Sequence, residues 1–199
     1  IPALPEIFLA LASMMLLMIG VFSGRERGTR IVSYASILVL IITFIILGMI
    51  SGGRSLTFED AFINDNFGFF IKTLILFASS AAILISKDYL IDHGIHRFEF
   101  PVLIVIATLG MLMMVSANDL IALYLGLELQ SLSLYVIAAF QRDSTRSAEA
   151  GLKYFVLGAL ASGLLLYGMT LVYGFSGTTN FDVLSKLFNT NLSNAPIGI

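Results

Sequence analysis

From Pro101 to Phe140 the chain reads PVLIVIATLGMLMMVSANDLIALYLGLELQSLSLYVIAAF. Two apolar runs, 101–116 and 119–140, are separated only by Ala117-Asn118, and one carboxylate, Glu128, stands inside the second. Crossing a hydrocarbon core of about 30 Å takes roughly 20 helical residues. The second run has that length. The first is shorter, which calls for less tilt or for cover by neighbouring helices. Asp119 is placed to cap the helix that follows the turn. The stretch therefore reads as two membrane helices folded back on each other, with an acid in the middle of one.

Further apolar stretches lie near 3–22, 31–50, 67–86 and 150–173. Together they predict an all-α, polytopic transmembrane helical bundle of about six spans over residues 1–174. Composition agrees: 58% of the 199 residues are hydrophobic and 12% charged, against about 45–50% and about 25% in a soluble domain. Mean hydropathy is +0.95. So much apolar surface exceeds what one small core can hide, which makes lipid the expected solvent. The first stretch lacks the basic flank of a signal peptide, and Pro5 and Glu6 precede its apolar run, so it reads as a span. Residues 175–199 read as an extramembrane connection or tail with a short helix around 181–188. Ile1 is not an initiator methionine and Ile199 ends without a terminal signature, so a longer parent chain is expected.

The loops predict an orientation. Segments 23–30, 87–99 and 141–149 hold Arg25, Arg27, Arg30, Lys87, Arg97, Arg142 and Arg146. The opposite set, 51–66, 117–118 and 174–199, holds only Arg54 and Lys186. The positive-inside rule puts the first set in the cytoplasm or matrix and both chain ends on the outer side, periplasmic or intermembrane. A net charge of -2 gives no basic surplus for nucleic acid. With no cysteine, disulfides, thiolate metal sites and cysteine-held iron–sulfur clusters are excluded.

Glu128 carries the most chemical information. It lies nine residues after Asp119 and twelve before Phe140, roughly 13 Å from one face and 18 Å from the other. A carboxylate at mid-membrane costs about 2.5–3.5 kcal/mol on insertion scales, and intramembrane acids mark functional sites by default. Tyr124, Ser131 and Tyr135 share its helix face at helical spacing, so proton handling along that face is the expected chemistry. The plainer reading is a protonated carboxyl bonded to a neighbouring helix. Gln130 and Ser133 point elsewhere and read as helix–helix contacts. Glu149 and Lys153 form an i, i+4 pair near the inner face, with Arg146 a turn earlier. They fit either a buried base near an inner proton entry or a snorkelling lysine with a surface partner. Helix rise separates Lys153 from Glu128 by roughly 10 Å in depth, so water would have to bridge them. Lys72 is expected to snorkel to the outer interface. His93 and His96 sit in a polar loop that explains them without a metal. Gly158-x-x-x-Ser162 and Ala159-x-x-x-Gly163 are spacings of small residues that bring helices close. No nucleotide loop or haem-ligand pair is present.

The pieces YLGLELQSLSLYVIAAF (124–140), SAEAGLKYFVLGALASGLLLYG (147–168) and LPEIFLA (4–10) resemble one family. It is subunit N of NADH–quinone oxidoreductase, the respiratory complex I, called NADH dehydrogenase subunit 2 in mitochondria. The chain resembles its amino-terminal part. The resemblance implies an antiporter-like inverted-repeat fold and a non-redox subunit contributing a proton half-channel. NADH, flavin, iron–sulfur clusters and quinone would sit in partner subunits, with no cofactor in this chain. Glu128 matches the family's acid on the fifth helix, and Glu149 with Lys153 match its acid and lysine at the start of the sixth. The lysine paired with that acid, on the seventh helix, would fall beyond Ile199. Implied partners are other membrane-arm subunits, lipids and the missing carboxyl-terminal half, in a bacterial or mitochondrial inner membrane. Two other readings stand beside this one: a subunit of a multisubunit cation/proton antiporter, and a structural membrane subunit with an inert Glu128.

Overall fold

A computed structural model of the chain describes residues 2–50 and 53–194. Six helices there are long and apolar enough to cross a membrane: α1 (Leu4–Phe22), α2 (Arg25–Ile50), α3 (Asn66–Asp92), α4 (Glu99–Ser116), α5 (Leu120–Ala138) and α6 (Thr145–Ser176). A shorter helix, α7 (Phe181–Asn194), follows the sixth span and runs past the expected 181–188. Three spans outgrow their apolar stretches. α2 begins at Arg25, α3 continues to Asp92, and α6 begins at Thr145. Charged residues end the hydropathy signal but are good helix formers, so the backbone continues through them. The two chain ends, Ile1 and residues 195–199, lie outside the described residues.

Local chemistry sets the helix ends. Pro5 and Glu6 open α1, where a missing N–H costs nothing and a negative charge meets the positive end of the helix dipole. The Asp65 carboxylate caps α3 by accepting from the Gly68 N–H at 2.6 Å. Asp119 caps α5 as expected, accepting from Ile121 N at 2.8 Å. Ser144 caps α6 by accepting from Ser147 N. Gly177, at φ 70°, ends α6 in the left-handed conformation that a side chain would disfavour.

α4 is the centre of the bundle. Half of it (50%) is buried within the chain, against 11% of α5 and 11% of α6. It packs on α1, α2, α3 and α5, which explains how the shortest run is accommodated. The α4–α5 contact is close because glycines face each other. A Cβ on Gly110 would lie 2.6 Å from the Gly126 carbonyl, and one on Gly126 would lie 2.8 Å from Met114 N. The core includes Leu9, Leu16, Leu40, Leu76, Val105 and Leu112. Several buried hydroxyls bond within their own helix, as Thr43 does to Val39 O. Thr108 of α4 also reaches Ser79 of α3 at 2.7 Å.

Between α2 and α3 the chain forms an antiparallel hairpin, β1 (Ser55–Thr57) and β2 (Phe62–Asn64). Its tip places Phe58, Glu59 and Asp60 at φ 56°, 53° and 67°. Hydrogen bonds to the turn after α4 hold the hairpin down. Asn118 N donates to Ala61 O, and Asn118 Nδ2 donates to Asp60 O, both at 2.9 Å. No alternating apolar pattern announces these three-residue strands, which is why 51–66 reads as a plain loop.

Candidate functional site

α5 carries Glu128 near its middle, and α6 returns antiparallel after a loop of only Ala139–Ser144. The two helices touch because α6 presents small residues to α5. A Cβ on Gly151 would run into Ala139, and one on Gly158 into the Tyr135 hydroxyl. One turn beyond Gly158, Ser162 is 9% exposed and donates from Oγ to Glu128 Oε1. The Tyr124 hydroxyl lies 2.9 Å from the same Ser162 Oγ. Three groups, Tyr124, Ser162 and Glu128, thus form one hydrogen-bonded chain across the α5–α6 contact.

Of the hydroxyls expected on the Glu128 face of α5, Tyr124 joins it through Ser162 of α6. Among the described residues, no hydrogen bond joins Ser131 or Tyr135 to Glu128. Tyr135 packs edge-on against Tyr154 and Phe155 of α6, with ring centroids 4.7 Å and 5.8 Å away. Ser133 donates to Leu129 O of its own helix at 2.9 Å rather than across a helix contact. The partner missed from sequence, Ser162, stands in the small-residue motif that reads as packing. The pointer was there, since that motif shows which face of α6 meets its neighbour. The α5–α6 register was not.

Lys153 and Glu149 pair at 2.5 Å, with side chains 70% and 63% exposed. They are not brought to Glu128, in keeping with their separation in depth. An exposed i, i+4 pair of this kind contributes only about 0.3–0.5 kcal/mol.

Lys72 departs furthest from expectation. It does not snorkel. It is 1% exposed, and its Nζ lies 2.6 Å from Glu6 Oε1 of α1. The Phe62 ring of the hairpin covers the ammonium, with its centroid 5.1 Å away. Glu6 lies inside the first turn of α1 rather than ahead of the span, and it lines a largely apolar cavity of about 330 Å³ bounded by α1, α4 and the hairpin. A lone buried lysine would be an uncompensated charge, and the Glu6 carboxylate supplies its counter-charge.

Two further polar clusters lie at opposite ends of the bundle. At the hairpin end, Arg54 binds Asp182 of α7 at 2.9 Å, and Asn118 Nδ2 donates to the same carboxylate at 3.2 Å. That hydrogen bond, then the Arg54 charge, hold Asp182 below the usual carboxylate range. At the other end, Lys87 Nζ donates to Tyr34 OH at 3.0 Å. Burial, then the charges of Lys87 and Arg30, lower the His96 pKa. His93 stacks on Tyr89, with centroids 4.1 Å apart. No group of His, Asp and Glu suited to a metal ion occurs among the described residues.

Residues 117–198 match the family model for the membrane domain shared by NADH:quinone oxidoreductase and Mrp antiporters. The chain is 56% identical over 188 residues to NADH-quinone oxidoreductase subunit N of Paramagnetospirillum magneticum, an alignment covering 94% of this chain and 38% of that protein. Among solved structures it resembles a chain of respiratory complex I from Thermus thermophilus, with TM-score 0.75 and 29% identity over 89% of this chain and 38% of the other. It shares its fold with a chain of the Mrp complex from Dietzia, with TM-score 0.69 and 22% identity over 90% of this chain and 35% of the other. The chain spans well under half the length of the curated relatives it matches.

Proposed function

The chain belongs to the subunit N family of NADH-quinone oxidoreductase, and we propose that within such an assembly it forms part of a proton half-channel centred on Glu128. One observation carries this reading: a carboxylate halfway along a membrane span, held by the Ser162 hydroxyl of α6, which is itself bonded to the Tyr124 hydroxyl of α5. Burial disfavours the charged form of a carboxyl, and hydrogen bonds to it or a nearby cation favour it. A site that balances those effects can load a proton and release it when a cation moves. The exposed flank of α5 and α6 is where the rest of a subunit of this family would pack, bringing such a cation close.

The redox steps belong to other subunits in this reading. NADH, flavin, iron–sulfur clusters and quinone are theirs, and their energy reaches Glu128 as a change in nearby charge and hydration. Other membrane-arm subunits, membrane lipids and the carboxyl-terminal half of the subunit are the partners. The seven basic residues at the α1–α2, α3–α4 and α5–α6 turns set that side toward the cytoplasm or matrix. The fold likeness to the Mrp complex supports a second reading, an antiporter subunit without redox partners.

Purification of the native assembly separates the two. Copurification with flavin and NADH–quinone reductase activity supports the first. An assembly of antiporter-like subunits with no redox centre replaces it with the second.

A further inference from the structure

We infer that Ser162 of α6 is the relay hydroxyl through which Glu128 exchanges its proton, and that Tyr124 extends the relay toward the Asp119 end of α5. The inference rests on the proton-handling reading of Glu128 and adds the route. Geometry fixes the order of groups: Tyr124 Oη, then Ser162 Oγ at 2.9 Å, then Glu128 Oε1. Tyr124 lies four residues, about 6 Å of helix rise, closer to Asp119 than Glu128 does. The chain of hydroxyls therefore runs along the membrane normal as well as across two helices.

With Glu128 ionised, Ser162 donates to the carboxylate and accepts from Tyr124. A proton arriving on Tyr124 Oη displaces the phenolic proton to Ser162 Oγ. The Ser162 proton passes in turn to Glu128 Oε1. Three O–H bonds form, two break, and the incoming proton is taken up as one neutral carboxylic acid. Afterwards Glu128 donates to Ser162, Ser162 donates to Tyr124, and the Tyr124 O–H points away from the pair. Both end states keep the Tyr124–Ser162 and Ser162–Glu128 contacts, with every donor direction reversed.

The packing of α6 is part of the device. Ser162 reaches the carboxylate because Gly151 and Gly158 let α6 approach Ala139 and Tyr135. A small-residue face that reads as generic helix packing thus sets the distance of a proton relay. Ser162 is itself 9% exposed, so bulk water competes little for its hydroxyl.

The test uses the assembled complex carrying the full subunit, with Ser162→Ala, Tyr124→Phe and Glu128→Gln compared for protons moved per NADH oxidised. Ser162→Ala removes one oxygen and leaves the helix contact room to form. The relay predicts that its ratio falls to that of Glu128→Gln. Tyr124→Phe lowers it as well, and Ser162→Thr, which keeps a hydroxyl, restores it toward the parent value. Infrared difference spectra give an independent readout. The carboxyl band that Glu128→Gln removes should move to higher wavenumber in Ser162→Ala, as for an acid that has lost its partner. A parent ratio in Ser162→Ala or Tyr124→Phe, or an unmoved band, overturns the relay. If Glu128→Gln lowers the ratio while Ser162→Ala does not, the relay alone fails. If Glu128→Gln pumps normally, the proton-handling reading itself fails, whatever the band does.

Discussion

Lys72 carries a stem long enough to reach an interface from the second turn of α3, yet it turns inward to Glu6. Breaking such a pair from one side leaves an uncompensated buried charge, at a cost of about 3–5 kcal/mol. Lys72→Met is therefore expected to lower the thermal stability or assembly yield of the subunit sharply. The double variant Glu6→Gln with Lys72→Met should recover most of the loss, because the two effects share one interaction. Equal losses in the single and double variants would show that the packing of the two side chains, not their charge, is what stabilises this contact. His96 gives a pH-dependent counterpart. Burial and the nearby cations keep its folded pKa below the ordinary 6.5. The unfolded chain then binds the proton more readily, so the contribution of His96 to stability is present above about pH 6.5 and lost as pH falls through the lower folded value. Lys87→Met should move the imidazole titration upward, which nuclear magnetic resonance of the labelled ring would follow. An unchanged titration would leave burial and the Arg30 charge as the causes.

Among the elements, α4 and α5 depend on glycines that face each other. Gly126→Val would push a branched side chain into Met114 and the Gly110 carbonyl. Overpacking of this kind costs about 1–3 kcal/mol or more, and it should lower the recovery of assembled subunit while Gly163→Ala, at an open position, leaves it unchanged. Much at this scale could be read beforehand. Six spans, the Ala117-Asn118 turn and the Asp119 cap follow from hydropathy and capping chemistry, because each is a local property of a few consecutive residues. The hairpin, the Glu6–Lys72 pair and the Ser162–Glu128 contact could not. Each joins residues far apart in sequence, and the register between helices depends on shapes that no single helix encodes. Ser162 shows the boundary well, since its spacing from Gly158 gives the contact face and not the partner opposite.

Across the whole molecule, the basic turns lie at one end and the hairpin with α7 at the other. The absence of cysteine makes orientation directly measurable. A single cysteine at Ser144 should react with a membrane-impermeant maleimide only in inverted vesicles, and one at Thr178 only in intact cells. The reverse pattern would overturn the assignment of sides. The claim on which the rest depends is that Glu128 loads and releases protons during turnover. Its most direct test is the ratio of protons translocated to NADH oxidised by the reconstituted complex carrying Glu128→Gln. The account predicts that the ratio falls while the assembly and its flavin are retained. An unchanged ratio in a fully assembled complex would contradict it and leave Glu128 a structural acid.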